Sequence, residues 1–384
     1  MLRHVAIFIL LSFSLIGFSC GDSAVPPGSA IDATGDVGDF LGTGEYLGEY
    51  WPTDGWRTCR PEEVGMSSNR LAEVYRYAAN PNIMTEGILV VRDGYIVGEA
   101  YFRGYTPARQ HYSFSVAKSF TSAVMGIAID RGYIADLDES VYQYFPDWQE
   151  PGTDPRKQRI TLDHLLHMNS GIQWDESDYN SHDNDAYMMH NQYDMNQYVL
   201  DKPMEHEPGT YWRYSTGNSQ LLSGVIWVAT GSTAYTFAMD HLLRPIGLEN
   251  VRWDSDLAGN TATGSGVRAT LREFAKFGYL YMKNGEWDGQ QIVPESWIEL
   301  SRQPAMDGVT MYGLHWWLKP AIDRDGTTSI PDNLLIAWGI HTQQIFVMPD
   351  QGLLVVRIGN DPEVQGIEWV ESEVLTLVLN ALQE

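Results

Sequence analysis

Basic side chains are scarce in this 384-residue chain. Its 25 lysines and arginines stand against 50 acidic residues, for a formal charge of −25 at pH 7. So acidic a surface repels phosphate backbones and anionic headgroups, which excludes nucleic acid as a partner. Two cysteines occur, Cys20 and Cys59, so at most one disulfide can form. The chain has no Gly-x-Ser-x-Gly elbow, no phosphate-cradling glycine loop and no His-Glu-x-x-His helix. Aromatics are plentiful instead: 13 Trp and 21 Tyr suffice for a sizeable core and an aromatic-lined cleft.

At the N-terminus, Arg3 and His4 precede an apolar run from Val5 to Phe18 that is too short for a membrane span. Ser19-Cys20 and the small, polar residues after it resemble a bacterial lipoprotein signal. That resemblance implies a signal peptide over 1–20, lipidation at Cys20 and an anchor at the exported cell envelope. A soluble periplasmic or secreted protein is the alternative, and a Cys20–Cys59 disulfide would exclude lipidation. Residues 21–55, rich in Gly and Asp, read as a flexible tether before a domain over 56–384.

Lysine is the rarest basic residue, with six copies, and Lys118 is the one with a serine three positions earlier. On a helix, Ser115 and Lys118 share a face. A lysine desolvated enough to stay neutral can take the serine proton and make the hydroxyl a nucleophile. The plain alternative is an N-cap serine followed by a surface lysine. A Ser-His-Asp triad is also open, because triad members need not be adjacent in sequence. His164 and His167 lie i,i+3 on one helix, but no further ligand spacing completes a metal site, so packing or capping explains them.

Periodicity predicts a helix over 71–79 and a hairpin over 87–102 joined by Asp93-Gly94. A buried helix is predicted from Ser115 to Asp130. A mostly helical insertion follows over 131–250, in which 172–200 is the least regular stretch and a candidate cleft wall. Helices are then predicted over 269–284 and 368–382, with strands over 312–318, 345–348 and 353–358. Strands at both ends with helices between them predict one antiparallel sheet flanked by helices, an α/β (α+β) fold.

Four segments in order resemble the serine β-lactamase and penicillin-binding-protein-like hydrolases. They are Ser115–Lys118, Ile160–Gly171, Pro208–Leu222 with Tyr214, and Arg268–Gly278 followed by Val293-Pro294. The resemblance covers roughly 60–384 and implies the β-lactamase/transpeptidase-like fold. It also implies Ser115 as nucleophile, Lys118 as base and Tyr214 as proton donor, with no cofactor or metal. A phenol beside an ammonium is expected to have a lowered pKa.

Departures narrow the substrate. β-Lactamases place Lys-Thr-Gly on the strand lining the cleft, where this chain has Ala337-Trp338-Gly339-Ile340-His341-Thr342-Gln343-Gln344 with no cationic residue at the start, and Thr216 stands where many members carry asparagine. Trp338-Gly339 is closer to esterase-type members, and the run Gly339–Gln344 looks most like the nylon-oligomer (6-aminohexanoate-dimer) hydrolase branch. By that resemblance the Ser115 and Ile340 N–H groups form the oxyanion hole, worth several kcal/mol together. Tyr179, Trp338, Gly339 and His341 are the candidate substrate contacts. The expected activity is hydrolysis of a small ester or linear amide. A β-lactamase or D-amino-acid peptidase, or a non-catalytic envelope lipoprotein that binds a ligand, are the alternatives.

Overall fold

The computed structural model describes residues 37–179, 181–326, 328–360 and 369–383. The expected signal peptide and Cys20 lie outside them, and Cys59 is buried with a free thiol.

A six-stranded antiparallel sheet organises the molecule. Its strands are β1 (Thr85–Arg92), β2 (Tyr95–Tyr101), β3 (Trp317–Leu318), β4 (Leu335–Gly339), β5 (Gln343–Met348) and β6 (Leu353–Gly359), in the order β2-β1-β6-β5-β4-β3. The Asp93-Gly94 turn takes left-handed φ at both residues, as a tight hairpin requires. In the central strands successive residues point to opposite faces, and both faces are covered. Ile88, Val90, Phe346 and Val355 meet helices α1 (Ser68–Ala78) and α5 (Glu371–Asn380). Leu89, Val91, Ile345 and Val356 meet α2 (Val116–Asp130) and α4 (Leu271–Met282). Two-sided burial is why these strands read as nearly continuous apolar runs.

All residues of α2 from Val116 to Ala128 are buried, so this helix runs through the core and not over it. Phe120 stacks on Phe277 of α4 at 3.7 Å between ring centroids. Truncating such a side chain to alanine costs about 3–5 kcal/mol. Against the other side of α2 lies α3 (Thr216–Thr230), capped by the Ser215 hydroxyl on the Asn218 N–H and closed by Gly231 at φ 71°. Residues 131–250 hold α3, short helices at Leu162–Leu166, Asp185–His190, Met195–Leu200 and Ala234–Ala238, and several 3-10 turns. The fold is thus the expected one, sheet and helices flanking a helical region.

Two expectations need correction. Residues 41–55 are not a free tether: Leu41 bridges Gly98 on the β2 edge, Trp51 packs on Tyr279 and Trp287, and Thr53 O accepts from the Lys276 ammonium at 2.7 Å. Tyr50, Trp51 and Trp56 supply apolar area that outweighs the loop-like composition around them. The strand expected over 312–318 shrinks to Trp317–Leu318, because His315 at φ 58° turns the chain and its N–H bonds the Gly313 and Leu166 carbonyls.

Candidate active site

The head of α2 sets the site. Phe114 adopts φ 47°, a left-handed conformation that costs a non-glycine residue about 1–3 kcal/mol, and Ser115 follows as N-cap. Unlike an ordinary cap serine, its hydroxyl makes no capping bond. It lies instead 3.0 Å from the Lys118 amine, one turn along the helix. Lys118 is 1% exposed, which rules out the surface-lysine reading. Its amine also reaches Thr216 Oγ1 at 3.0 Å and the Gly264 carbonyl at 2.8 Å. Burial lowers its pKa to about 8, against an opposing pull from Glu176. At pH 7.5 about a quarter of such lysines are neutral, against about a thousandth at the unperturbed value.

Glu176, absent from the sequence expectations, is the acid of this network. Its carboxylate is buried and accepts from Trp174 Nε1 at 2.6 Å, the Thr216 N–H at 2.8 Å, Thr216 Oγ1 at 3.1 Å and the Tyr179 hydroxyl at 2.9 Å. Thr216, on the first turn of α3, therefore links Glu176 to Lys118. Nothing in the loop 172–179 singles out this carboxylate in a chain with 50 acidic residues. A buried Trp two positions earlier is the nearest signal.

Tyr214 precedes α3 and is half-buried on the cavity wall. Its ring stacks on Trp317 at 5.4 Å, meets Tyr312 edge-on at 6.0 Å and lies 4.9 Å from the Lys118 ammonium. The expected lowering of its pKa is not found. Burial and then the Glu176 charge raise it, and a hydrogen bond with Ser115 pulls it partly back. The phenol keeps its proton at neutral pH.

On the facing strand, Gly339 ends β4 against the turn that carries Ser115. A Cβ there would lie 2.4 Å from Ser113 O and 3.1 Å from Ser115 N, so glycine is required for this approach. The Ser115 N–H belongs to a helix N-terminus, where the first amides have no intrahelical partner, and Ile340 comes directly after the contact. Ser115, Ile340, Gly339, Trp338, Tyr214 and Tyr179 all border one cavity of about 1060 Å³. Its wall adds Trp212, Met311 and Trp317, none singled out from sequence, and the charged Asp175, Glu205, Arg213 and Arg324. Tyr179 is 47% exposed there, with its hydroxyl turned onto Glu176 and its pKa raised by burial and that carboxylate.

His341 departs from expectation. The cavity lining passes through Ile340 and stops, because His341 takes φ 60° and packs its ring edge-on against Phe114 at 5.2 Å. The Ser115 hydroxyl takes its hydrogen bond from Lys118 and not from a histidine. His315 is fixed between Leu166 O and Ser219 Oγ, and burial drives its pKa down to about 3. His164 caps its own helix through the Thr161 N–H.

A serine at the head of a buried helix, a lysine one turn on, and a strand edge drawn against the serine define the transpeptidase-like serine hydrolases. The chain belongs to the Beta-lactamase family, whose sequence pattern matches residues 79–368, and is a hydrolase of that family. It is similar to the 6-aminohexanoate-dimer hydrolase of Paenarthrobacter ureafaciens, with 24% identity over 322 residues, 78% of this chain and 79% of that one. A solved Bacillus anthracis structure, assigned as a 6-aminohexanoate-dimer hydrolase, superposes with a TM-score of 0.67. Its identity is 21%, covering 86% of this chain and 87% of that one. EstCE1, a hydrolase with promiscuous acyltransferase activity, superposes at the same TM-score of 0.67 with 15% identity, covering 83% and 98%. The two superpositions show a shared fold.

Proposed function

We propose that this protein hydrolyses esters or linear amides through an acyl-enzyme on Ser115. Neutral Lys118 takes the hydroxyl proton as Ser115 Oγ bonds to the substrate carbonyl carbon. The Ser115 and Ile340 N–H groups receive the oxyanion. Tyr214, still protonated, gives its proton to the departing alkoxide or amine and recovers one from the Lys118 ammonium. Water then attacks the acyl-enzyme, with Lys118, neutral again, taking its proton and returning it to the departing Ser115 Oγ.

The observation that carries this reading is the buried Lys118 amine 3.0 Å from Ser115 Oγ. The raised pKa of Tyr214 supports its role as acid. The lack of a cationic residue in Ala337-Trp338-Gly339, and Thr216 engaged with Lys118 and Glu176, favour a linear substrate over a β-lactam. The aromatic wall of Trp212, Tyr214, Trp317 and Trp338 suits a substrate with an apolar or flat moiety. The names of its relatives, a 6-aminohexanoate-dimer hydrolase among them, agree with amide or ester cleavage.

A fluorophosphonate probe tests the mechanism: wild type is labelled and Ser115→Ala is not. Equal labelling of the two would overturn it. Short-chain nitrophenyl esters are hydrolysed faster than nitrocefin, and the reverse order would assign a β-lactamase. The proposed workplace is the cell envelope, with Cys20 as lipid anchor. Membrane fractionation of wild type against Cys20→Ala checks this, and identical soluble behaviour of both would refute it.

A further inference from the structure

Arg357 of β6 is 0% exposed, in a strand whose other residues are apolar or glycine. Burying a guanidinium is expensive unless its N–H groups are satisfied. Here Nη1 donates to His341 O at 3.2 Å and Thr342 O at 2.9 Å, and Nη2 donates to Ile83 O at 3.0 Å. The Trp369 ring covers the guanidinium, 4.6 Å from Cζ. From the neighbouring strand, Gln343 Nε2 also donates to His341 O, at 3.1 Å, while bonding Gly359 O at 2.7 Å. Gly359 keeps the space open, since a Cβ there would fall 2.3 Å from Arg357 Nη2.

The carbonyls gripped in this way belong to a strained turn. His341 and Thr342 have φ 60° and 59°, two successive left-handed residues that are not glycine, and they follow directly on Ile340. Their strain persists only where surrounding structure over-determines it. Across the site Phe114, also left-handed, precedes Ser115 and packs on the His341 ring. Each proposed oxyanion donor is therefore flanked by a left-handed residue, and the two flanking residues touch.

We infer that Arg357 and Gln343 are positioning residues that hold the His341–Thr342 turn so that the Ile340 N–H points at the developing oxyanion. The inference rests on the Ser115 acyl-enzyme reading. Neither side chain borders the cavity, so loosening the turn changes transition-state stabilisation and leaves ground-state binding as it was. A misplacement of about 1 Å in such a donor costs on the order of a hundredfold in rate.

The test is steady-state hydrolysis of a nitrophenyl ester by full-length Arg357→Lys and Gln343→Leu, with thermal melts of each. A lysine at 357 keeps the charge but loses the two-pronged grip. Both variants lose about tenfold or more in kcat, with KM within about twofold of wild type. The fluorophosphonate labelling rate, which also builds negative charge on an oxygen held in that hole, falls in parallel. Wild-type kcat in folded variants, or a loss confined to KM, would overturn the brace. Should Arg357→Lys fail to fold, Gln343→Leu decides by the same criteria. Full activity of Ser115→Ala would instead bring down the underlying reading, a separate result.

Discussion

Replacing Glu176 by glutamine tests the electrostatics of the site most directly. The carboxylate is linked to Lys118 through Thr216 by contacts of 3.1 and 3.0 Å, which puts the two charges at most about 6 Å apart. At an effective dielectric constant of about 20, that separation is worth about 2–3 kcal/mol, or about one to two pH units once partial screening is allowed. The sign follows from the causes. Burial depresses Lys118 from 10.5 to about 8, and Glu176 works against that depression. Removing the charge lets the lysine pKa fall further. Because the base is active when neutral, kcat/KM rises with pH through the Lys118 pKa of the free enzyme. The rising limb of Glu176→Gln therefore sits about one to two pH units lower than that of wild type. Glutamine can still accept from Trp174 and the Thr216 N–H, so the loop keeps its anchorage. The assay is kcat/KM for a nitrophenyl ester from pH 5 to 10. A limb that stays in place or moves upward would refute the coupling.

Three further outcomes are expected. Tyr214→Phe lowers kcat by about 10²–10⁴ for an amide or alkyl ester but far less for a nitrophenyl ester, whose leaving group needs no proton; equal losses on both would remove the proton-donor role. Gly339→Ala brings a Cβ to 2.4 Å from Ser113 O and costs about a hundredfold in kcat/KM, whereas near-wild-type activity would show that the strand edge can yield. Lys118→Met abolishes turnover without lowering the melting temperature at pH 7, because the folded state there bears the full cost of a protonated buried amine. That cost fades only as pH rises from about 8 towards 10.5, so the stability gain of the variant shrinks over the same window. Retained turnover would sink the general-base assignment.

Local chemistry made much of this molecule legible. The Asp-Gly hairpin and the apolar periods of α2 and α4 depend on neighbours a few residues apart, which a sequence displays directly. Ser115 and Lys118 are legible for the same reason, being one helical turn apart. Where long-range contacts decide the outcome, local reading failed. The Gly- and Asp-rich N-terminal segment packs from Leu41 onward because distant surfaces of β2 and α4 receive its aromatics. His315 breaks an apolar run because its partners are Leu166 and Ser219.

The sequence by itself determined the order of elements, the pairing of Ser115 with Lys118, and the departures from the Lys-Thr-Gly pattern. Tertiary structure alone decided which of the 50 acidic residues joins the network, which way the Tyr214 pKa moves, and that a buried arginine grips the turn after Ile340. Glu176 meets Thr216 across 40 residues, and Arg357 meets Ile83 across 274. Burial and charge at such meetings depend on what the folded chain brings together, and no local pattern encodes them.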